Sequence, residues 1–122
     1  MRGITMTTYF QGKTVIITGA SAGVGAETAR AFAKMSANLV LIARGQTALD
    51  QMSQELSTKT SVLTIAMDVS SSVDCQNMLV SAEQKFGAIH YLINNAGYHK
   101  RGEVENNSSE QLAKMVDINL RA

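Results

Sequence analysis

The sequence contains no proline and a single cysteine, and it carries almost no net charge. The missing proline removes one class of helix breaker and decides nothing further. Cys75 alone cannot form an internal disulfide, which suits a reducing, cytoplasmic setting rather than a disulfide-stapled secreted fold. Eleven basic and ten acidic side chains leave a formal charge of +1. There is accordingly no electrostatic ground for a nucleic-acid or anionic-membrane partner. No apolar run approaches the roughly 18 residues of a membrane-spanning helix. Met1 to Gln11 lack an apolar signal-type stretch and read as a leader, with Met6 an alternative start. Low-complexity linkers and internal repeats are absent. His90 and His99 have no evident base or metal partner, so no metal site is expected.

What is present is a regular alternation within 122 residues, enough for at most one domain with a modest core. Nearly continuous apolar runs at Thr14–Thr18, Leu39–Ala43, Val62–Met67 and Ile89–Asn94 predict parallel strands covered on both faces. Helical spacing fills the gaps between them. The first helix is expected to present Val24, Thr28, Ala31, Phe32 and Met35 on one face. The second starts at Thr47 and aligns Leu49, Met52 and Leu56. The third follows Ser70-Ser71-Ser72, aligns Cys75, Leu79, Ala82 and Phe86, and is closed by Gly87. Strands alternating with helices imply a parallel sheet with right-handed crossovers, the doubly wound α/β class.

A last helix is predicted from Ser108, where Ser108 and Gln111 have capping-box spacing and Leu112, Met115, Val116 and Asn119 recur at helical intervals. It runs to Ala122 without a stop signal. Four strands are too few for a complete dinucleotide fold, and the fourth would present a bare edge. These observations favour a truncated domain over a small domain that dimerises across that edge.

The chemistry concentrates between the first strand and the first helix, at Thr18-Gly19-Ala20-Ser21-Ala22-Gly23-Val24-Gly25. A strand, a glycine turn and a helix start form a corner where unpaired N–H groups and the positive dipole end suit a pyrophosphate. Gly19 permits the tight turn, Gly23 lets the backbone approach the ligand, and Gly25 lets the helix lie close to the strand. A phosphate-binding P-loop is excluded because Ala26 and Glu27 stand where Lys and Ser or Thr would close it. Residues 12–122 therefore read as the N-terminal part of one dinucleotide-binding domain.

An acid about 20 residues beyond the glycine turn would select NAD by accepting from the ribose 2′-OH. Between Glu27 and Asp50 there is none, and Arg44 ends the second strand. A guanidinium there pairs with a 2′-phosphate, with the Ser21 hydroxyl able to assist, and favours NADP (NADPH) over NAD. A solvated surface arginine is the alternative.

Thr18-Gly19-x-x-x-Gly23-x-Gly25, Asp68-Val69, Asn94-Asn95-Ala96-Gly97 and Asn119-Leu120 occur in an order that resembles the short-chain dehydrogenase/reductase family, from about Phe10 onward. The resemblance implies a Rossmann-like sheet and an oxidoreductase that moves hydride between NADPH and a small carbonyl or alcohol substrate. It implies cofactor contact by Gly19, Ser21, Gly23, Val24, Gly25, Asn95, Ala96 and Gly97. It also gives Asp68 the adenine amino group, with Val69 bounding the ring. Read from the residues alone, Asp68 can instead be a turn or N-cap acid, and Asn95-Ala96-Gly97 a simple turn.

Asn119 corresponds to the asparagine of the family's Asn–Ser–Tyr–Lys tetrad, which holds a water in a proton relay. As a surface helix residue it would have no such task. The remaining tetrad members have no match here. Tyr9-Phe10-Gln11-Gly12-Lys13 fits Tyr-x-x-x-Lys but contains a glycine and runs into the first strand, so it cannot present both side chains on one helix face. The chain is thus expected to bind a cofactor and to lack catalysis by itself. The complete protein would form homodimers or homotetramers. A non-catalytic dinucleotide-binding regulator and one half of a split assembly are the other readings.

Overall fold

The computed structural model describes residues 9–95 with side chains and the backbone of Val116–Asn119. Five strands, β1 (Thr14–Thr18), β2 (Asn38–Ala43), β3 (Val62–Ala66), β4 (Tyr91–Asn94) and β5 (Val116–Asn119), form one sheet in the order β3-β2-β1-β4-β5. Every neighbouring pair is parallel. Helices α1 (Gly23–Lys34), α2 (Gln46–Leu56) and α3 (Ser72–Phe86) connect them. This is the doubly wound α/β class expected from the alternation.

The period-two geometry of a strand distributes the core over both faces. Val15 and Ile17 of β1, with Leu39 and Leu41 of β2, pack against α1 and α2 residues such as Ala29, Leu49 and Met52. Ile16, Val40, Ile42 and Leu92 point the other way, against Cys75, Met78, Leu79 and Ala82 of α3. All five residues of β1 are buried, which explains its near-continuous apolar run. Burying side chains of this size stabilises by about 1.5–3 kcal/mol each.

Two expectations require correction. The first concerns α1, whose buried face is Gly25, Ala26, Ala29 and Ala33, while Val24 is 41% exposed and Ala31 is also exposed. Small residues face the sheet because the helix packs close to it, whereas apolar spacing gives more weight to bulky side chains. Phe32 and Met35 do pack against the core, as partly buried neighbours.

The second concerns the last element. Val116 to Asn119 is not helical but forms β5, in register with β4 from Tyr91↔Val116 to Asn94↔Asn119. Val-Asp-Ile-Asn alternates with period two and has two β-branched residues, and the edge of β4 supplies a ready partner. Four residues are too short a window to separate the two periods. The expected capping box at Ser108 lies outside the described residues.

At the other end, Phe10 is 7% exposed within the first core cluster, so packed structure begins inside the expected leader. Residues 1–8, including Met6, lie outside the description.

The strand order reverses at β1. The chain moves outward through β2 and β3, then returns across β1 to β4 and β5. The crevice at the C-terminal ends of β1 and β4 is therefore the topological switch point, where such sheets bind ligands.

Candidate functional site

The glycine corner occupies that switch point. Gly19 turns at φ +63 and Gly23 at φ +57, both in the left-handed region that favours glycine. The intervening loop is anchored to the sheet by the Ala20 N–H, which donates to the Ile42 carbonyl at 3.0 Å. Nothing lies within 4 Å of the space a Cβ on Gly23 would fill, so the backbone is open to a ligand there. At Gly25 the reverse holds. A Cβ would collide with the Gly19 carbonyl oxygen and come within 2.8 Å of Asn95 Nδ2.

α1 begins with no side chain capping it. Ala22 occupies the N-cap position, and the first turn carries no acid. By helix geometry its first N–H groups have no i−4 acceptor, so the positive end of the helix faces the corner uncompensated by an acidic side chain of its own first turn. Ser21, Ala22, Gly23 and Val24 line one end of a groove of about 660 Å³ along the outer side of α1. At the other end Arg30 is already engaged, with Glu55 at 2.7 Å and Glu27 at 3.0 Å. The Glu55 hydrogen bond and charge hold the guanidinium pKa above its usual value, and Arg30 is thereby committed to the α1–α2 surface.

β1 and β4 are tied together at their ends by a network in which the part played by Thr18 was not assigned from the sequence. The Thr18 hydroxyl donates to Asn94 Oδ1 at 3.1 Å and accepts from the Asn95 N–H at 2.8 Å. Asn95 Nδ2 reaches the Gly19 carbonyl at 3.4 Å. Thr18 and Asn94 are both buried polar residues, and such groups must be hydrogen-bonded. A threonine placed immediately before the glycine turn was the available signal. Asn95 Oδ1 is buried without a hydrogen-bond partner among the described residues. The amide thus braces the corner and keeps an acceptor beside it. Ala96 and Gly97 lie outside the described residues.

β2 and β3 end side by side, with Ala43 paired to Ala66 and the Met67 N–H donating to the Ala43 carbonyl at 2.9 Å. That register brings together Arg44 and Asp68, whose Nη2 and Oδ2 are 3.5 Å apart. Asp68 Oδ1 accepts from both the backbone N–H and the hydroxyl of Ser70, at 2.9 and 2.8 Å. The turn-acid reading of Asp68 is therefore correct for one oxygen, and the other faces Arg44. Val69 is partly buried against the α3 core, and its carbonyl accepts from Cys75 Sγ.

Asn119 stands at the C-terminal end of β5, opposite Asn94, and so at the same sheet edge as the glycine corner. The remaining candidates lie elsewhere. Tyr9 and Lys13 sit before β1, at the opposite end of the sheet, with Lys13 Nζ 5.1 Å from the Tyr9 ring centre. The Tyr9 hydroxyl is 2.6 Å from that of Tyr91, a hydrogen bond that raises the Tyr91 pKa. His90 Nδ1 accepts from the Thr14 N–H at 2.9 Å, a structural task that continues the β1–β4 pairing. No group of three or more metal-ligating side chains occurs among the described residues. Nor, among them, is any helix long and apolar enough to cross a membrane.

The family model described as short chain dehydrogenase matches residues 13–122. A 11-beta-hydroxysteroid dehydrogenase from Pinus massoniana is 39% identical over 112 residues, covering 89% of this chain and 32% of its own. A solved 3-ketoacyl-(acyl-carrier-protein) reductase from Brucella melitensis, complexed with NADH, superposes with a TM-score of 0.67 at 34% identity, over 72% of this chain and 35% of its own. L-Sorbose reductase from Gluconobacter frateurii, complexed with NADPH and L-sorbose, gives a TM-score of 0.74 at 25% identity, over 88% and 52%. The chain spans from 32% to 46% of the length of the first curated relatives it matches. With the match running from the start of β1 through β5, over a sheet whose glycine corner sits at its switch point, the chain belongs to the short-chain dehydrogenase family.

Proposed function

We propose that the intact protein is an NADP-preferring oxidoreductase of the carbonyl reductase or alcohol dehydrogenase type, and that residues 12–122 are its cofactor-binding part. The observation that carries the cofactor choice is Arg44. It immediately follows β2 with an 80% exposed side chain, in a stretch without any acid between Glu27 and Asp50. A free 2′-OH calls for an acceptor, and the described end of β2 offers a donor instead. Solved relatives carry NADH in one case and NADPH in another, so kinship leaves this choice to the residues.

The residues fit a dinucleotide. Gly19, Ser21, Gly23, Val24 and Gly25 would hold the pyrophosphate at the start of α1, where the N-cap has no side-chain bond of its own. Arg44 would take the 2′-phosphate, while Asp68 and Val69 would bound the adenine. Asn95, Ala96 and Gly97 would line the cofactor's path past β4. When bound, the cofactor supplies hydride to a carbonyl carbon. Asn119, at the C-terminal end of β5, would hold a relay water for the proton donor. A cytoplasmic setting accords with Cys75, the single cysteine of the sequence, which is buried. The substrate is a small carbonyl or alcohol compound, and the intact protein is proposed to be a homodimer or homotetramer.

Titration of the intact protein with each reduced nucleotide, followed by cofactor fluorescence, tests the proposal. NADPH is expected to bind at least about tenfold more tightly than NADH, and Arg44→Ala to bring the two close to parity. Equal affinities in the wild type, or an unchanged ratio in Arg44→Ala, would overturn it.

A further inference from the structure

Resting on that cofactor reading, we infer that Asp68 is an internal counter-anion for Arg44, and that it sets how strongly the site prefers the phosphorylated nucleotide.

Three observations carry this inference. The first is the pairing itself: 24 positions apart in sequence, the two residues are joined because β2 and β3 end in register. The second is orientation. Ser70 holds Oδ1 through two hydrogen bonds, so the carboxylate cannot swing freely and Oδ2 is presented to the guanidinium. The third is that among the described residues the guanidinium is held through Nη2 alone, with the side chain largely in solvent. Arg44 is thus lightly held and can be drawn to a stronger anion.

The consequence differs between the two nucleotides. Beside a 2′-OH, Arg44 remains paired with Asp68, so its charge stays compensated and the unphosphorylated nucleotide is tolerated. Beside a 2′-phosphate, the guanidinium must be shared between two anions that repel each other. Asp68 accordingly holds the selectivity below what Arg44 alone would give. Exposed ion pairs are weak, so the effect is a tuning of the ratio and not a switch.

Asp68→Asn tests this while preserving the turn, because the amide oxygen can still accept from Ser70. Dissociation constants for NADPH and NADH are measured for the intact wild type, Asp68→Asn, Arg44→Ala and the double variant. Any change in adenine contact is common to both nucleotides and cancels in the ratio. Asp68→Asn is expected to raise the preference for NADPH about threefold to fivefold at low ionic strength, the range of an exposed ion pair. In the Arg44→Ala background the same substitution is expected to raise the ratio by less, through the direct carboxylate–phosphate repulsion alone. A ratio that falls or stays constant in Asp68→Asn, or that rises equally without Arg44, overturns the inference. A wild type that binds neither nucleotide overturns the cofactor reading beneath it, which the ratio among binding-competent variants does not test.

Discussion

At the scale of single residues, two glycines of the corner have opposite reasons for being glycine. Gly23 needs a positive φ in open space, whereas Gly25 has no room for a side chain. Substituting Gly25 by alanine drives a methyl group into the Gly19 carbonyl oxygen, which belongs to the backbone and cannot rotate away. α1 must then retreat from β1, at a cost expected to be about 1–3 kcal/mol by denaturant unfolding. Both nucleotides should weaken together, because the start of α1 moves while Arg44 does not. Gly45→Ala is the control, with nothing within 4 Å and no positive φ. Unchanged stability and binding in Gly25→Ala would show that the close approach is not needed. Much of this corner was legible in the sequence, since each glycine's task follows from its place between a strand and a helix. Thr18 was not legible as a brace, because its partners Asn94 and Asn95 lie 76 and 77 positions away.

At the scale of elements, the ends were more legible than the faces. Ser71 caps α3 by accepting from the Asp74 N–H, and Gly87 closes it at φ +86, as the local residues suggest. α1 ends less comfortably. Ser36 adopts φ +61 so that its N–H can reach the Ala33 carbonyl and that of Ala37 the Phe32 carbonyl. This is a Schellman termination, whose left-handed position favours glycine. Ser36→Gly is therefore expected to stabilise the fold by about 0.5–1 kcal/mol, less whatever the freer unfolded chain takes back. A lower midpoint in urea would contradict this. The faces were harder to read because apolar periodicity counts bulk. It took Val24 and Ala31 for core, although α1, which has no room for a Cβ at Gly25, buries Gly25, Ala26, Ala29 and Ala33. β5 was misread for a related reason, since a parallel strand is decided by the edge it meets.

At the scale of the whole molecule, the two ends of the sheet have separate tasks. The C-terminal edge gathers the glycine corner, Arg44, Asp68, Asn95 and Asn119. The N-terminal edge is closed by an aromatic cluster, in which the Phe10 ring meets those of Phe32 and Tyr91 edge-on at 4.9 and 5.3 Å. Phe10→Ala should cost about 3 kcal/mol, within the range for a buried aromatic, and leave the nucleotide ratio unchanged because it acts at the far edge. A loss below about 1 kcal/mol would show that Phe10 adds little to the packed core.

The sequence by itself determined the class of fold, the first four strands and the glycine corner between β1 and α1. Each of these rests on interactions between residues close together in the chain, and local periodicity and turn chemistry record such interactions. Tertiary structure alone decided that Val116–Asn119 is a strand, that Thr18 braces β4, and that Arg44 meets Asp68. Those outcomes depend on which strands lie side by side and in what register, and parallel pairing joins segments that are distant in sequence.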